Sequence, residues 1–392
     1  MMYFILVLLG IYIMILLLRF AFTIAYYKRE TGKMKNVSRE NRLSLKEVTI
    51  FQPILSGDNY LKEKLSFIYN NKGEAELIWA VDNDDYEAEK IINEITGNNP
   101  NKNLHIVKCD KAPFYENPKV YKILLTEKLW KKYTVILDDD TIIDIKSLEN
   151  IDKTLLETKI ITGIPYYLQG RNIWESMVRV YVNSNSVYNY FTSAFLGRNK
   201  TINGMFYIFK SEKIISLGLY QKIKQKLCDD YEFAKISGEN GIGIYQSVIP
   251  CKLNTGVENF RGFLRLMRRW HVFVNQYIKE NLDISVVIFS IIPFVSGSLF
   301  LTAAFLYRYE IFFLYLGISI LNYLAGRIFR KKIFGENDSI KDMVLEIVSE
   351  IVQIFYWFSA LIKPDRIIWR GKSVRIKNGI IEVNSDGKKD KG

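Results

Sequence analysis

The amino-acid sequence predicts an α/β fold with membrane helices on both sides of it, and three observations support this prediction. Apolar, β-branched segments alternate with helical segments through the middle of the chain. These apolar runs are continuous, which is typical of strands in a largely parallel sheet covered on both faces. Uncharged stretches long enough to cross a bilayer lie near both ends of the sequence.

The first predicted element is a transmembrane anchor over residues 1–27. Residues 1–18 carry no charge, Arg19 follows, and apolar residues continue to Tyr27. The stretch lacks the basic start and the small-residue cleavage site of a signal peptide. Basic residues are frequent between positions 28 and 42. By the positive-inside rule, the domain that follows is expected in the cytoplasm and the whole protein in the cell (plasma) membrane as a multi-pass protein.

A domain over residues 45–275 is predicted next, beginning with alternating strands and helices. Strands are predicted at "EVTIFQPIL", "AELIWAVDNDD", "NLHIVKC" and "YTVILDDDT", and helices at "LKEKLSFIYN", "YEAEKIINEI" and "NPKVYKILLTEKLW". Ligands of such sheets bind at the carboxyl ends of the strands. Asp82, Asp138 and Asp140 come at strand ends, so they are expected at the ligand-binding edge.

The pattern is mixed beyond Thr141. An aromatic and amide-rich stretch from 161 to 191 has no clear period, whereas "TINGMFYIFKSE" predicts a strand after a tight Asn203-Gly204 turn. The acidic pair Asp229-Asp230 begins a helical segment that it could cap. A basic segment, "RGFLRLMRRWHVF", closes the domain and is compatible with an amphipathic helix on a membrane surface.

A transmembrane hairpin is predicted over residues 283–332, with its basic end inside the cell. Pro293 is tolerable in a membrane helix. Residues 343–362 are apolar but include Glu346 and Glu350, and acids are costly at the centre of a bilayer. This segment is therefore predicted to be an interfacial or re-entrant helix, with a fourth span as the alternative.

The remaining residues, 363–392, are predicted to form a cytoplasmic basic tail. A short hairpin is expected around Asn378-Gly379. The last stretch, "NSDGKKDKG", has the composition of a disordered segment.

Composition excludes several classes of site. The chain has 392 residues, a net charge of +12, three widely separated cysteines and two histidines. No disulfide framework, zinc site or Ser-His-Asp triad is expected from these numbers. The glycine-rich motifs of dinucleotide and P-loop sites are absent from the sequence. Basic residues flank the membrane segments, so the charge does not require nucleic acid and no nucleic-acid partner is expected.

The aspartate triplet in "TVILDDDTII" has three interpretations from its residues alone. Its carboxylates could hold a divalent metal against a nucleotide diphosphate. The spacing of Asp138 and Asp140 also fits an aspartyl-phosphate phosphatase, and the whole triplet could form a solvated turn. Because strand side chains alternate, Asp139 is expected to point away from Asp138 and Asp140.

Several motifs in order resemble those of metal-dependent glycosyltransferases of the GT-A fold, family 2 type, and more closely the ceramide glucosyltransferase branch, family 21. They are "QPILSGDNYLKEKL", "AVDNDD", "ENPKVYKI", "ILDDDT", "TGIPYYLQGR", "TINGMFYIFKSE", "CDDYEFAKI" and "RLMRRW". The resemblance covers about residues 45–275 and the arrangement of membrane segments. It implies a nucleotide-diphospho-sugar transferase domain.

The resemblance also implies the roles of single residues. Asp138 and Asp140 would bind Mg²⁺ or Mn²⁺, and Asp82, Lys119 and Asp138 would bind the nucleotide sugar. Asp230 would be the catalytic base, with Asp229 as the alternative, and a single base predicts inversion. Arg269 and Trp270 would close over the diphosphate and the acceptor. The implied reaction moves a sugar, a hexose, from a UDP-sugar donor to a hydroxyl of a lipid acceptor.

Two positions depart from the family pattern. Leu266 stands at the first position of the (Q/R)xxRW motif, where Arg265 is one residue early, and Thr162 stands where the animal enzymes carry a histidine. Both belong to motifs associated with the acceptor. Rival interpretations are a processive polysaccharide synthase, a polyprenyl-phosphate sugar transferase, the phosphatase and a non-enzymatic membrane scaffold.

Overall fold

The computed structural model describes residues 2–97, 103–306, 309–362, 366–369, 372–377 and 380–382. The strands are β1 Val48–Pro53, β2 Glu76–Asp82, β3 Leu104–Cys109, β4 Tyr133–Leu137, β5 Thr141–Ile142, β6 Lys159–Tyr167, β7 Phe206–Lys210, β8 Gly243–Leu253, β9 Arg366–Trp369, β10 Lys372–Lys377 and β11 Ile380–Glu382. The first eight form one sheet, and the last three form a small antiparallel one.

Helices occur on both sides of the large sheet and at both ends of the chain. They are α1 Met2–Lys35, α2 Leu61–Asn71, α3 Tyr86–Thr96, α4 Pro118–Thr126, α5 Ile173–Phe195, α6 Ser211–Ser216, α7 Leu219–Ile223, α8 Asp229–Glu239, α9 Phe260–Asn281, α10 Ile284–Val286, α11 Ile292–Leu306, α12 Tyr309–Phe334 and α13 Ile340–Ile362. A π-helical turn, Val287–Ile291, joins α10 to α11.

The large sheet has the strand order β3-β2-β1-β4-β7-β6-β8-β5. β1 to β4 are parallel to one another, whereas β7 runs antiparallel to β4 and β6 antiparallel to β7. The carboxyl ends of β1, β2 and β4 therefore lie on one edge, as the sequence predicted. The predicted α/β fold with apolar helices towards both ends is confirmed.

Buried side chains cover both faces of the parallel half of the sheet. Ile50 and Val135 belong to a core on one face, and their neighbours Phe51 and Ile136 belong to a core on the other. Alternate residues of a strand point to opposite faces, so a strand buried on both must be apolar at every position. This explains the continuous apolar runs in the sequence.

The stretch from 161 to 191 contains most of β6 and of the long helix α5. The side chain of Asn172 caps α5 by accepting hydrogen bonds from the amides of Trp174 and Glu175. A side chain at this position satisfies amide groups that lack a partner within the helix. α5 packs against β6, α1 and α13, which connects the sheet to the membrane helices.

Within the part of the chain that the structure describes, four helices are long and apolar enough to cross a membrane. They comprise Ile5–Lys35, Ile284–Leu306, Tyr309–Phe334 and Ile340–Ile362. The acids of the last one face a neighbouring helix: Glu346 pairs with Arg330 at 3.1 Å, and Glu350 accepts a hydrogen bond from the Tyr315 hydroxyl at 2.9 Å. Both acids are paired and not exposed to lipid. Their cost at the bilayer centre is therefore no longer an argument against a fourth membrane span.

The tail forms the expected antiparallel pairing, with β10 beside β11. The turn at Asn378-Gly379 and the final stretch after position 382 lie outside the described residues.

Candidate active site

A cavity of about 660 Å³ lies beside the end of β4. Among the residues that line it are Asn117, Lys119, Asp138, Tyr167, Tyr181, Gly204, Cys228, Asp229, Asp230, Arg269 and Trp270. Five residues with predicted roles thus face one space, although they come from four separate segments of the chain. Asp82 and Asp140 are not among the described residues that line it.

Lys119 is held at the cavity by the start of α4. Asn117 caps this helix and Pro118 occupies its first turn, an arrangement that fixes the direction of the chain. The Lys119 ammonium lies 2.6 Å from Asp138 Oδ1 and donates to the Gly204 carbonyl at 2.8 Å. Burial alone would lower the pKa of Lys119, but the charges of Asp138 and Asp229 raise it, so the ammonium stays charged.

The three aspartates after β4 have different hydrogen-bond partners. Asp139 accepts a hydrogen bond from the Leu55 amide at 2.8 Å, so it fixes the loop that follows β1. Asp140 accepts one from the Thr141 hydroxyl at 2.8 Å. Burial, followed by the charge of Asp138, raises the pKa of Asp140 to about 7. Asp138 to Asp140 do form a turn, in which the Thr141 amide donates to the Asp138 carbonyl at 3.2 Å, but their carboxylates are partly buried and accept hydrogen bonds, so the turn is not freely solvated.

The carboxylates present fit a divalent cation that also takes ligands from a phosphate. Within the described residues, no group of three or more Cys, His, Asp or Glu side chains is arranged to hold a metal. Asp138 and Asp140 supply two partly buried carboxylates, and oxygen ligands are what Mg²⁺ and Mn²⁺ prefer. The raised pKa of Asp140 marks negative charge that a cation would neutralise. Ligands beyond these two would come from phosphate oxygens and water.

Asp229 and Asp230 occupy the first turn of α8, where the helix dipole favours negative charge. The residue at the cap position is Cys228. The expectation that the acidic pair caps the helix is therefore wrong, because the pair follows the cap position. Asp229 lies 3.8 Å from the Lys119 ammonium and accepts from the Asn117 side chain at 3.3 Å. Asp230 accepts from the Tyr231 amide at 2.7 Å.

The thiol of Cys228 donates a second hydrogen bond to Asp230 Oδ1, at 3.1 Å. Burial and the charge of Asp230 raise the pKa of Cys228, so the thiol remains a proton donor. Burial and the charge of Asp229 raise the pKa of Asp230 as well. A carboxylate with a raised pKa is a stronger base once it has ionised.

A turn at Asn203-Gly204 lies between Lys119 and Asp230. The Phe206 amide donates to the Asn203 carbonyl at 3.1 Å, which closes the predicted tight turn before β7. A Cβ atom at Gly204 would lie 2.9 Å from Asp230 Oδ2. Only glycine therefore allows this close approach, a constraint that the sequence pattern did not reveal.

Arg269 and Trp270 reach the cavity from α9. The Trp270 ring is nearly parallel to that of Tyr181, with 6.3 Å between centroids, and lies edge-on to Tyr167 at 6.3 Å. These two tyrosines were not predicted. Arg265 is exposed and does not line the cavity.

Asp82 lies at the end of β2 in an ion pair. Its carboxylate is 3.0 Å from the Lys122 ammonium, and the exposed fractions of the two side chains are 10% and 2%. Lys122 also donates to the Ile54 carbonyl at 2.8 Å. The pair therefore holds the loop after β1 in place, and the predicted nucleotide contact of Asp82 stays a prediction.

The family model of glycosyl transferase family 21 matches residues 12–381, which is most of the chain. The chain belongs to this family. The match includes the membrane helices as well as the α/β domain. It confirms the resemblance drawn from the motifs and, with it, the prediction of a glycosyltransferase with the GT-A type of fold.

Known proteins similar to this family 21 member include Ceramide glucosyltransferase 1 of Caenorhabditis elegans. The two are 23% identical over 233 residues, which is 58% of this chain and 49% of the relative. The alignment thus spans about half the length of that relative. Similar solved structures include the Pyrobaculum calidifontis mannosyltransferase PcManGT in complex with GDP-Man and Mn²⁺ (14% identity, TM-score 0.48, 91% of this chain and 98% of that one). Another is S. aureus TarS 1-349 (14% identity, TM-score 0.37, 87% and 100%).

Proposed function

We propose that this protein transfers a hexose from a UDP-sugar to a hydroxyl of a membrane lipid, with inversion at the anomeric carbon. The observation that carries the proposal is the cavity in which a half-buried lysine, a half-buried carboxylate and an Arg-Trp pair face one another beside candidate membrane helices. The similar protein from C. elegans is named a ceramide glucosyltransferase, which supports a sphingoid-type lipid as the acceptor.

The donor would bind at the end of β4. Lys119 and Asp138 lie together there, and Lys119 can exchange its contact with Asp138 for one with a phosphate oxygen. Asp82, at the end of β2, would contact the base or ribose. A bound Mg²⁺ or Mn²⁺, held by Asp138 and Asp140, would neutralise charge on the diphosphate.

Asp230 would act as the general base. Its carboxylate takes the proton of the acceptor hydroxyl while that oxygen bonds to the anomeric carbon and the bond from this carbon to the diphosphate oxygen breaks. The products are the glycolipid and UDP, and the proton remains on Asp230 until solvent removes it. One displacement at one carbon inverts its configuration, and no second carboxylate nucleophile is needed.

Arg269 and Trp270 would complete the site from the side of α9. The Arg269 guanidinium suits phosphate oxygens of the leaving group. Trp270, ordered by Tyr167 and Tyr181, provides an apolar wall against which a sugar ring can stack.

The four apolar helices would fix the enzyme in the plasma membrane. The basic residues after α1 and at the end of α12 would face the cytoplasm, which places the cavity on that side. The donor would then enter from the cytoplasm and the acceptor from the bilayer.

The proposed function is tested by radiolabelled transfer from a panel of UDP-sugars into vesicles of a membrane lipid extract, with mass analysis of the product. A glycolipid carrying one sugar is expected, and chelation of divalent cations should abolish its formation. Asp140→Asn should lose donor-dependent activity as well. A long polymer would indicate a polysaccharide synthase, and a labelled polyprenyl phosphate would indicate a polyprenyl-phosphate sugar transferase. If the protein binds no sugar nucleotide, the proposal is refuted.

A further inference from the structure

Arg19 is a charged residue inside the first candidate membrane span, Ile5–Lys35. Residues 1–18 carry no charge, and the Arg19 side chain is buried, with 6% of it exposed. A charged group inside a membrane helix is costly and most often has a function. The partners of Arg19 therefore indicate what it does.

The guanidinium of Arg19 lies against α5 and beside a small polar cavity. Its Nη2 atom donates to Asn189 Oδ1 at 2.9 Å, and its carbon lies 5.4 Å from the centre of the Tyr188 ring. Arg19 and Glu350 both line a cavity of about 20 Å³, which is large enough for a water molecule. Among the described residues, the Arg19 Nε atom has no hydrogen-bond partner. The strongest direct contact of this arginine is thus the one with Asn189.

Arg19 determines how the Asn189 amide is oriented. A guanidinium stays charged in proteins and only donates hydrogen bonds, so the atom of Asn189 that faces it must be the carbonyl oxygen. The NH2 group, on the other arm of the amide, is then directed elsewhere. Asn189 lines the cavity that contains Asp230. Its NH2 group is accessible and donates to no group of the described residues.

Asn185, one turn earlier in α5, lines the same cavity but differs in its contacts. Its NH2 group donates to the Tyr181 carbonyl at 2.9 Å and to the Ser184 hydroxyl at 3.2 Å. Both partners belong to α5, so this amide is occupied by its own helix. Of these two amides, Asn189 is the one that keeps a hydrogen-bond donor for a molecule in the cavity.

We infer that Arg19 and Asn189 form a positioning pair, in which the membrane-buried arginine holds the amide so that its NH2 group donates to a substrate oxygen in the cavity at Asp230. The oxygen belongs to a hydroxyl of the sugar or of the lipid. This inference rests on the proposed function, and it adds a substrate-contacting residue and the group that orients it. It predicts that loss of Arg19 lowers transfer through Asn189.

The test compares Asn189→Leu, Arg19→Met and the variant that carries both changes. Arg19→Lys keeps a charged group that only donates. Asn93→Leu is the matched control, because Asn93 is an exposed residue of α3 that does not line the cavity. The assay measures transfer from radiolabelled UDP-sugars to vesicles of a membrane lipid extract. Calorimetry measures UDP-sugar binding, and thermal unfolding in detergent checks that each variant is folded.

Asn189→Leu is expected to lower transfer by about tenfold, because a hydrogen bond to the reacting substrate is lost. Arg19→Met should lower transfer by no more than that, Arg19→Lys should recover most of the loss, and Asn93→Leu should have no effect. The double variant should be no slower than Asn189→Leu, whereas two independent effects would multiply. Weaker UDP-sugar binding by Asn189→Leu would assign the oxygen to the sugar, and unchanged binding would assign it to the lipid.

Unmodified transfer rates in Asn189→Leu, or multiplied losses in the double variant, would overturn the inference. If Asn189→Leu does not fold, Asn189→Asp decides, since its carboxylate keeps the contact with Arg19 but has no NH2 group. Unmodified rates in that variant would overturn the inference as well. Failure of the unmodified protein to label any lipid would instead refute the proposed function, and the inference with it.

Discussion

Asp230 shows how single residues set the chemistry of this cavity. Its carboxylate accepts hydrogen bonds from the Tyr231 amide and the Cys228 thiol, and its backbone stands at the start of α8. Both hydrogen bonds are accepted by Oδ1, so the proposed base would present Oδ2 to the acceptor hydroxyl. Lys119, on the other side of the Gly204 turn, is directed to the donor end.

The proposed division of labour between two aspartates can be tested at this scale. Asp230→Asn should lower turnover by about 10²–10⁴-fold with little loss of UDP-sugar binding, because only proton removal is affected. Asp138→Asn should lower both turnover and UDP-sugar binding, because it removes a contact with the UDP-sugar and a cation ligand. The measurement is kcat together with donor affinity by calorimetry. Equal loss of donor affinity in the two variants would contradict the assignment of the base.

The pH dependence distinguishes Asp230 from Asp229 as the base. The ionised form of the base is active, so activity falls as pH drops through its pKa, which the charge of Asp229 raises. Asp229→Asn removes that charge, and the acidic limb of the pH–rate profile should therefore move to lower pH while turnover persists. Loss of all turnover in Asp229→Asn would point to Asp229 instead.

Residue positions could be predicted only in part. The resemblance of the motifs to family 21 singled out Lys119, Asp138, Asp230 and the Arg-Trp pair. The first three stand beside a helix start or a strand end, whereas the Arg-Trp pair lies within α9. The thiol at Cys228 could not be predicted from a pattern, because its contact with the carboxylate depends on the local turn.

At the scale of elements, the turn at Gly204 is as important as the helices on either side of it. Its carbonyl accepts from Lys119, and its missing side chain leaves room for Asp230. The turn thus fixes the separation between the donor end of the cavity and the base.

Gly204→Ala should therefore lower turnover strongly, because the new methyl group would lie 2.9 Å from Asp230 Oδ2 and displace the carboxylate. Gly238→Ala is the control: it lies in α8 with nothing within 4 Å of the added Cβ. Gly238 is the last residue but one of α8, so this change should leave turnover and thermal stability close to those of the unmodified protein. Thermal unfolding and kcat together check the pair, and wild-type turnover in Gly204→Ala would contradict the proposed contact.

The strands β1 to β4 were predicted because burial on both faces leaves a continuous apolar run. β6 and α5 were not predicted, since α5 buries polar residues, among them Asn183 and Arg179, against other elements. Such residues interrupt the apolar stripe by which an amphipathic helix is recognised.

At the scale of the whole molecule, buried charges join the sheet domain to the membrane helices. Arg179 of α5 pairs with Asp338 at 3.1 Å and also with Asp342 of α13. Arg330 of α12 pairs with the same Asp338 at 2.8 Å. These pairs connect the sheet domain to the candidate membrane helices α12 and α13.

Removal of one partner in this network should be costly. Arg179→Met leaves the buried carboxylate of Asp342 without its cation and Asp338 with Arg330 alone, and should destabilise the protein by about 3–5 kcal/mol. Lys62→Met removes an exposed pair with Glu94 and should cost less than about 1 kcal/mol. Thermal unfolding in detergent measures both, and equal effects would show that the buried network does not stabilise the assembly.

The anomeric configuration of the lipid product tests the central claim most directly. The claim is that one cavity performs a single displacement, with Asp230 as base, on a hydroxyl of a membrane lipid. UDP-sugars such as UDP-glucose are α-linked, so nuclear magnetic resonance of the purified product should show one β-linked sugar, and Asp230→Asn should yield almost none. An α-linked sugar, or a chain of many sugars, would contradict the account.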